Sequence, residues 1–196
     1  MLKLIVYFCK SKLIIMKTNK LSLLFLLSVF TLAGFAQSSG FYSFKVKTLE
    51  GADFDFSTLK GKKVMVVNTA SKCGYTPQYK DLEEMYEKYG SDLVIIGFPA
   101  NNFMNQEPGS ASDIRKFCTD SYGVTFPMME KISVKGDDMH PLYKWLTSKE
   151  KNGVMDSEVK WNFQKYLIDE KGNLVDVLYS KDKPSSDKVT AWLSSK

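Results

Sequence analysis

Apolar and polar positions change rhythm several times along this chain, and each rhythm predicts an element. From Phe41 to Leu59, "FYSFKVKTLEGADFDFSTL" alternates, breaks at Glu50-Gly51 and alternates again, which predicts a β-hairpin. "KKVMVVNTA" and "DLVIIGFPA" are nearly unbroken apolar runs. They predict strands over Val64–Thr69 and Leu93–Phe98, buried on both faces of a sheet. Between them Tyr79, Leu82, Met85, Tyr86 and Tyr89 recur at helical spacing, predicting a helix from Pro77 to Tyr89 that Gly90 ends. Strand, helix, strand in that order implies a right-handed crossover and parallel pairing.

"NNFMNQEPGS" has the composition of a loop. Ser110 or Ser112 can cap a following helix with Ile114, Phe117 and Cys118 on one face. "VTFPMMEKISV" is strand-like but interrupted by Pro127. Pro141 opens a helix in "HPLYKWLTSK". "FQKYLIDEKGNLVDVLYS" reads as a hairpin turning at Glu170–Asn173, and Ser185 to Leu193 as a last short helix. The sum is an α/β domain without internal repeats.

Composition changes this picture mainly at the amino terminus. From Met16 the chain reads "MKTNKLSLLFLLSVFTLAGFAQSSG": a basic start, an apolar core from Leu21 to Leu32, and small residues at Gly34 and Ala36. That is the pattern of a secretory signal peptide cleaved near Ala36, and its apolar core is short of the ~20 residues a spanning helix needs. Residues 1–36 are therefore expected to be a leader, with residues 1–15 attributable to a start site upstream of the true one, Met16. Residues 37–196 form a single domain, about 160 residues long, enough for a proper core. The leader holds Lys3, Lys10, Lys12, Lys17, Lys20 and no acid. The 27 basic and 22 acidic residues of the whole chain thus leave 22 of each in the mature part. A formally neutral domain gives no electrostatic case for nucleic acid. Stable membrane insertion of the mature form is not expected, and localisation is expected to be periplasmic or extracellular.

Cys9 goes with the leader, leaving Cys73 and Cys118. In an exported protein such a pair predicts either a structural bridge or redox chemistry. Cys73 stands just past a strand and a few residues before a helix. Unpaired N–H groups and the helix dipole there favour an anion, and Lys72 adds positive charge beside it. No C-x-x-C is present, since the segment reads Cys73-Gly74-Tyr75-Thr76. A Cys-His acyl-transfer site would have to use His140, the sole histidine, which sits at a helix start where capping is its natural work. Zinc would need about four ligands, mostly Cys and His, so neither a metal nor another cofactor is expected. A hydroperoxide remains as a partner for such a thiol. Its weak O–O bond needs no histidine, and the sulfenic acid formed can condense with a second thiol, for which Cys118 is available.

Four blocks carry a resemblance: "VNTASKCGYTPQY", "GFPANNFMNQEPGS", "FCTDSYGVTFPMMEKISVKG" and "KWNFQKYLIDEKG". In order and spacing, from about Phe41 to Trp192, the chain resembles the glutathione peroxidases in their cysteine-containing form. The resemblance implies a thioredoxin-like fold, a central mixed sheet flanked by helices with an amino-terminal hairpin. It implies a peroxidatic Cys73 assisted by Gln106, Trp161 and Asn162, whose amide and indole N–H groups donate without titrating. Phe163 would wall the pocket and Gly74 would admit substrate close to the backbone. Cys118 matches the resolving cysteine of members reduced by thioredoxin-like proteins. A position on a helix implies local unfolding before the sulfurs meet, because Cα atoms more than ~7 Å apart cannot be bridged.

The chain also departs from its relatives. Ala100 and Asn102 stand where many have cysteine and glutamine, and Met104-Asn105 replace a more usual Gly or His pair. The long insertion that tetrameric relatives use for assembly is absent between Trp145 and Trp161, which implies a monomer with an open site and access for lipid hydroperoxides. Arg115 is the only arginine, so glutathione would have to be held by lysines. The leading expectation is a thiol peroxidase that uses a thioredoxin-like protein or glutathione as reductant. A peroxide-responsive redox sensor and a structural module with a permanent Cys73–Cys118 bridge are the rival readings.

Overall fold

The computed structural model describes residues 40–195; the expected leader, residues 1–36, lies outside the described residues. The elements are β1 (Lys45–Lys47), β2 (Asp53–Asp55), β3 (Lys63–Thr69), α1 (Gln78–Tyr89), β4 (Leu93–Pro99), α2 (Ala111–Tyr122), α3 (Pro141–Thr147), α4 (Lys149–Asn152), β5 (Lys165–Ile168), β6 (Leu174–Leu178) and α5 (Asp187–Ser194). The main sheet has the order β4-β3-β5-β6. β3 and β4 pair in parallel, with Val64 opposite Val94 and Asn68 opposite Phe98. β5 runs antiparallel to both β3 and β6. The sheet is thus mixed, as expected.

The unbroken apolar runs of β3 and β4 have a direct cause. Val64, Val66, Ile96 and Phe98 belong to one core cluster, with Tyr143, Leu146 and Tyr166. Met65, Val67 and Ile95 belong to another, with Tyr79, Leu82, Ile114, Cys118 and Val189. Successive residues point to opposite faces, and helices cover both: α3 on the first, α1, α2 and α5 on the second. Each fully buried Val, Ile or Leu there contributes about 1.5–3 kcal/mol by transfer from water.

Two expectations are revised. The first hairpin is short, three residues per strand. The apolar alternation around it comes from Phe41 and Phe56, which lie on short 3₁₀ turns (Phe41–Ser43, Phe56–Leu59) and pack with Trp145 in an aromatic cluster. The stretch "VTFPMMEKISV" is not a strand. It makes only isolated bridges, Met128 to Gly97 and Met129 to Thr48. Pro127 has no N–H to give a ladder, but its carbonyl accepts from the Gly97 N–H at 2.9 Å. Ser110, not Ser112, caps α2, within a reciprocal capping box with Asp113. His140 caps α3, its Nδ1 accepting from the Leu142 N–H at 3.2 Å.

This topology gathers three segments at one sheet edge. β3 and β4 are parallel, so the loops that follow them, 70–77 and 100–110, leave from the same end. β5 is antiparallel to β3, so the segment that precedes β5, 157–164, arrives there too.

Candidate active site

Cys73 sits in a tight turn built by Thr76. The Thr76 hydroxyl accepts from the Cys73 N–H at 3.0 Å and donates to the Ala70 carbonyl at 2.9 Å. The Thr76 N–H in turn donates to the Cys73 carbonyl at 3.0 Å. Successive i→i+3 bonds from Gln78, Tyr79 and Lys80 then lead into α1. At net worth of about 1 kcal/mol each, these bonds fix the sulfur's position. Cys73 Sγ accepts the Tyr75 backbone N–H at 3.4 Å, a plausible length for a sulfur acceptor. The thiol is buried, 7% exposed, deeper than its polar and small neighbours imply. An added Cβ on Gly74 would meet no protein atom within 4 Å, so the fold itself does not require glycine there.

Of the four residues expected to act together, Gln106 and Asn162 meet at this edge, beside the loop that carries Cys73. The Asn162 Nδ2 donates to Gln106 Oε1 at 3.0 Å, linking the third segment to the second. The Gln106 carbonyl accepts from the Lys72 N–H at 3.0 Å, linking the second to the cysteine loop. Gln106 uses its side-chain oxygen toward Asn162, which keeps its NH₂ group as a donor. Trp161 is half-buried. It stacks obliquely on Phe103, 5.3 Å between centroids, and packs against both core clusters. With Tyr75, Lys160, Tyr179, Ser180 and Lys181 it bounds an open depression of about 520 Å³. Among the described residues no side chain donates to Cys73 Sγ; its donor is the backbone at Tyr75. Phe163 is wholly buried behind this segment, edge-on to Tyr79 at 5.2 Å, and does not line the depression.

Backbone strain concentrates here. Met104 (φ 51°), Asn105 (φ 52°) and Phe163 (φ 62°) are the non-glycine residues in the left-handed region among the described residues. They lie one and two positions before Gln106 and one after Asn162. Such conformations cost of order 1–3 kcal/mol and persist only where surrounding structure imposes them. Asn68 does so at Phe163. From inside β3 it accepts the Phe163 N–H on its carbonyl, at 2.6 Å, and donates Nδ2 to the Trp161 carbonyl, at 3.1 Å. The Met104–Asn105 loop is held by Asn102, whose side chain binds the Val134 N–H, the Ser133 hydroxyl and the Lys135 carbonyl.

Two positioning residues escaped the sequence reading. Asn68 is one. Lys165 is the other: buried in β5, its ammonium donates to Gln78 Oε1 at 2.5 Å and to the Asp182 carbonyl at 2.6 Å. Gln78 Nε2 donates to the Ser180 carbonyl at 2.6 Å. Together they tie the first residue of α1 to the wall of the depression. Burial lowers the Lys165 amine to about 8, against the attraction of Asp182 and Asp81. The signal for both was a polar residue inside an otherwise apolar strand.

Cys118 is wholly buried on α2, in the apolar cluster that Cys73 also borders. Both are free thiols in this structure. Burial pushes the Cys118 thiol up, partly offset by the nearby Tyr79 hydroxyl. Near the far end of α2, the Cys118 carbonyl accepts from Val124 at 3.2 Å, part of the turn that Gly123 closes in a left-handed conformation. Arg115 is engaged by Glu50 at 2.6 Å.

A four-stranded mixed sheet with helices on both faces and a cysteine at its carboxyl edge defines a thioredoxin-like protein with a thiol site. A thiol:disulfide interchange protein of the thioredoxin family from Chlorobium tepidum shares that fold, with TM-score 0.53 and 19% identity over 79% of this chain and 96% of that one. The apo crystal structure of Trgpx matches with TM-score 0.61 and 40% identity, over 80% of this chain and 96% of that one. A glutathione peroxidase-like peroxiredoxin of Chlamydomonas reinhardtii is 50% identical over 147 residues, 74% of this chain and 90% of the relative. The glutathione peroxidase family profile matches residues 41–147. The chain belongs to the glutathione peroxidase family and is a cysteine-based peroxidase.

Proposed function

We propose that Cys73 is the peroxidatic residue and Cys118 the resolving one, in a thiol peroxidase for hydrogen peroxide and organic or lipid hydroperoxides. The Cys73 thiolate attacks the distal oxygen of the hydroperoxide. An S–O bond forms, the O–O bond breaks, and the alkoxide leaves with a proton as alcohol or water. Trp161, Gln106 and Asn162 supply N–H donors around the charge that develops on the leaving oxygen. The Cys118 thiol then attacks the sulfenic sulfur, forming the disulfide and releasing water. A dithiol reductant of the thioredoxin kind returns both cysteines to thiols by exchange.

The observation that carries this reading is the Asn162–Gln106 hydrogen bond, which joins two predicted site segments beside the Cys73 turn. A thioredoxin-like reductant is preferred over glutathione because the sole arginine is already paired with Glu50 and lies outside the depression at Trp161. A secreted monomer, with residues 1–36 removed, completes the proposal.

The test is steady-state peroxide consumption with thioredoxin or with glutathione. Cys73→Ser is expected to abolish both activities. Cys118→Ser is expected to lose thioredoxin-driven turnover while still consuming one equivalent of peroxide. Equal thioredoxin-driven rates in Cys118→Ser and the wild type remove Cys118 from the mechanism. A wild type that stops after one equivalent despite reductant is a sensor.

A further inference from the structure

Two carboxyl groups are buried among the described residues, Glu83 and Glu107. Glu83 is fully partnered, one oxygen accepting from the Thr125 N–H and the other from the Thr125 hydroxyl. Glu107 is not. It is wholly buried, one oxygen accepts from the Ser71 hydroxyl at 2.7 Å, and the other has no partner. A cavity of about 300 Å³ lies at Glu107, between Ser71 and Lys72 of the cysteine loop and Asp113, Ile114 and Phe117 of α2.

The backbone around Glu107 is clamped. Its N–H donates to Asn101 Oδ1 at 2.9 Å, and the Lys131 ammonium donates to the carbonyls of Glu107 and Gly109 at 3.0 and 2.7 Å. Ser110, the cap of α2, follows three residues on. Glu107 therefore connects the loop that carries Cys73 to the start of the helix that carries Cys118.

We infer that Glu107 is a positioning residue for the resolving step: its uncharged carboxyl group stays sealed between the cysteine loop and the start of α2, and its ionisation, which puts charge on a buried oxygen that has no donor, loosens α2 so that Cys118 can leave its seat. The inference rests on Cys118 being the resolving thiol, as proposed above. Glu107 makes and breaks no bond in that step. Cys118 S–H meets Cys73 S–OH, the S–S bond forms, the S–O bond breaks, and the hydroxide leaves with the Cys118 proton as water.

Ionising a buried oxygen without a donor is costly. Burial accordingly raises the Glu107 carboxyl above the usual carboxylate range, opposed by the Ser71 hydroxyl and by the charges of Lys131 and Lys72. The other titratable groups facing this region are Asp113 at the cavity, and Tyr79 and Cys118 in the core behind. An ionised Glu107 pushes the Cys118 thiol up, so that thiol stays protonated until it moves. The sign follows. The docked arrangement is fully stabilised below the ordinary carboxylate range and loses that stabilisation as pH rises through the raised value.

The experiment mixes reduced protein with one equivalent of hydrogen peroxide between pH 4.5 and 8. Samples are acid-quenched, and sulfenic acid and disulfide are counted by mass spectrometry. In the wild type the disulfide rate is expected to climb about tenfold with an inflection above the usual carboxylate range. In Glu107→Gln, which keeps the shape but cannot ionise, that inflection is expected to vanish and the rate at pH 7 to fall about tenfold. Ser71→Ala removes a bond that favours ionisation and is expected to move the inflection to higher pH. A purely structural glutamate would lower the melting temperature of Glu107→Gln and leave the profile in place, which overturns the inference. Should Glu107→Gln fail to fold, an unmoved inflection in Ser71→Ala overturns it equally. A wild type that forms no Cys73–Cys118 disulfide removes the resolver and this role with it, whereas a wild-type disulfide with an unchanged Glu107→Gln profile removes this role alone.

Discussion

The two cysteines of the described domain touch the same core cluster, yet their seats differ in kind. Cys73 rests on a turn held by polar groups: Thr76 grips its N–H, Tyr75 donates to its sulfur, and the Lys72 N–H ties the loop to Gln106. Cys118 rests on the apolar face of α2, one turn below Ile114, with no backbone donor on its sulfur. Exposure hardly separates them, at 7% and 0%. What separates them is what the proposed chemistry would ask of each. Cys73 can be met where it is. Cys118 has to be brought out of hydrocarbon, at the expense of part of a helix.

The sharpest test of that contrast is alkylation of the reduced protein with iodoacetamide, followed residue by residue. Cys73 is expected to react at least a hundredfold faster than Cys118 at pH 7.5. The Cys118 rate should keep rising beyond the pH range of an ordinary thiol, because burial raises that group and its reaction waits on local opening. In ~6 M guanidinium, where most small domains are unfolded, the two rates should converge. Equal rates in the folded protein would mean that the seats do not differ in the way described.

A smaller effect tests the turn. Thr76→Val keeps the shape of the side chain but loses both bonds of the hydroxyl, to Cys73 and to Ala70. It leaves a buried N–H and a buried carbonyl without partners, a loss of about 1–3 kcal/mol per group in the least relaxed case. The expected result is a fall in melting temperature together with a drop of about tenfold in the single-turnover oxidation of Cys73. The Cys118 alkylation rate is expected to stay within about twofold. A variant that slows both cysteines alike would show that the turn supports the whole cluster and not one sulfur.

What the chain's pattern made visible follows from periodicity. β3 and β4 are buried on both faces, α1 and α2 on one, and their apolar spacing records it. The segment around Pro127 has strand-forming residues but only isolated bridges, because β-propensity describes fit to a pleated surface and not the supply of ladder donors. The candidate site is harder to read. Gln106 and Asn162 are 56 residues apart and meet only because β5 runs antiparallel to β3. No local rhythm encodes that meeting, and family resemblance alone brought the pair forward. Asn68 and Lys165 were hidden inside apolar runs, where a polar residue reads as an exception until its partners are seen. Glu107 carries no sequence signal of its own: an acid in a polar loop looks exposed, and only the fold reveals that it is sealed.

The smallest expected effect concerns two glycines, at the two ends of what a backbone tolerates. A Cβ at Gly97, in β4, would lie 2.3 Å from Met128 Sδ and 3.2 Å from the ring of Phe126. That strand is buried on both faces and Met128 bridges it directly, so there is nowhere to shift without disturbing the core. Gly97→Ala is expected to destabilise the fold by about 1–3 kcal/mol, the usual range for overpacking. A Cβ at Gly74, next in the chain after Cys73, meets nothing within 4 Å, and its φ is not in the left-handed region. Gly74→Ala is therefore expected to change stability by no more than ~0.5 kcal/mol, as surface substitutions do. Its rate toward hydrogen peroxide is expected to stay within about twofold. With a bulky lipid hydroperoxide the same methyl group would stand in the space the substrate needs, and kcat/KM is expected to fall several-fold. A stability loss at Gly74 as large as that at Gly97 would mean the cysteine turn is as tightly packed as the sheet. A Gly74→Ala enzyme equally active on both peroxides would mean that substrate does not pass over this face of the turn.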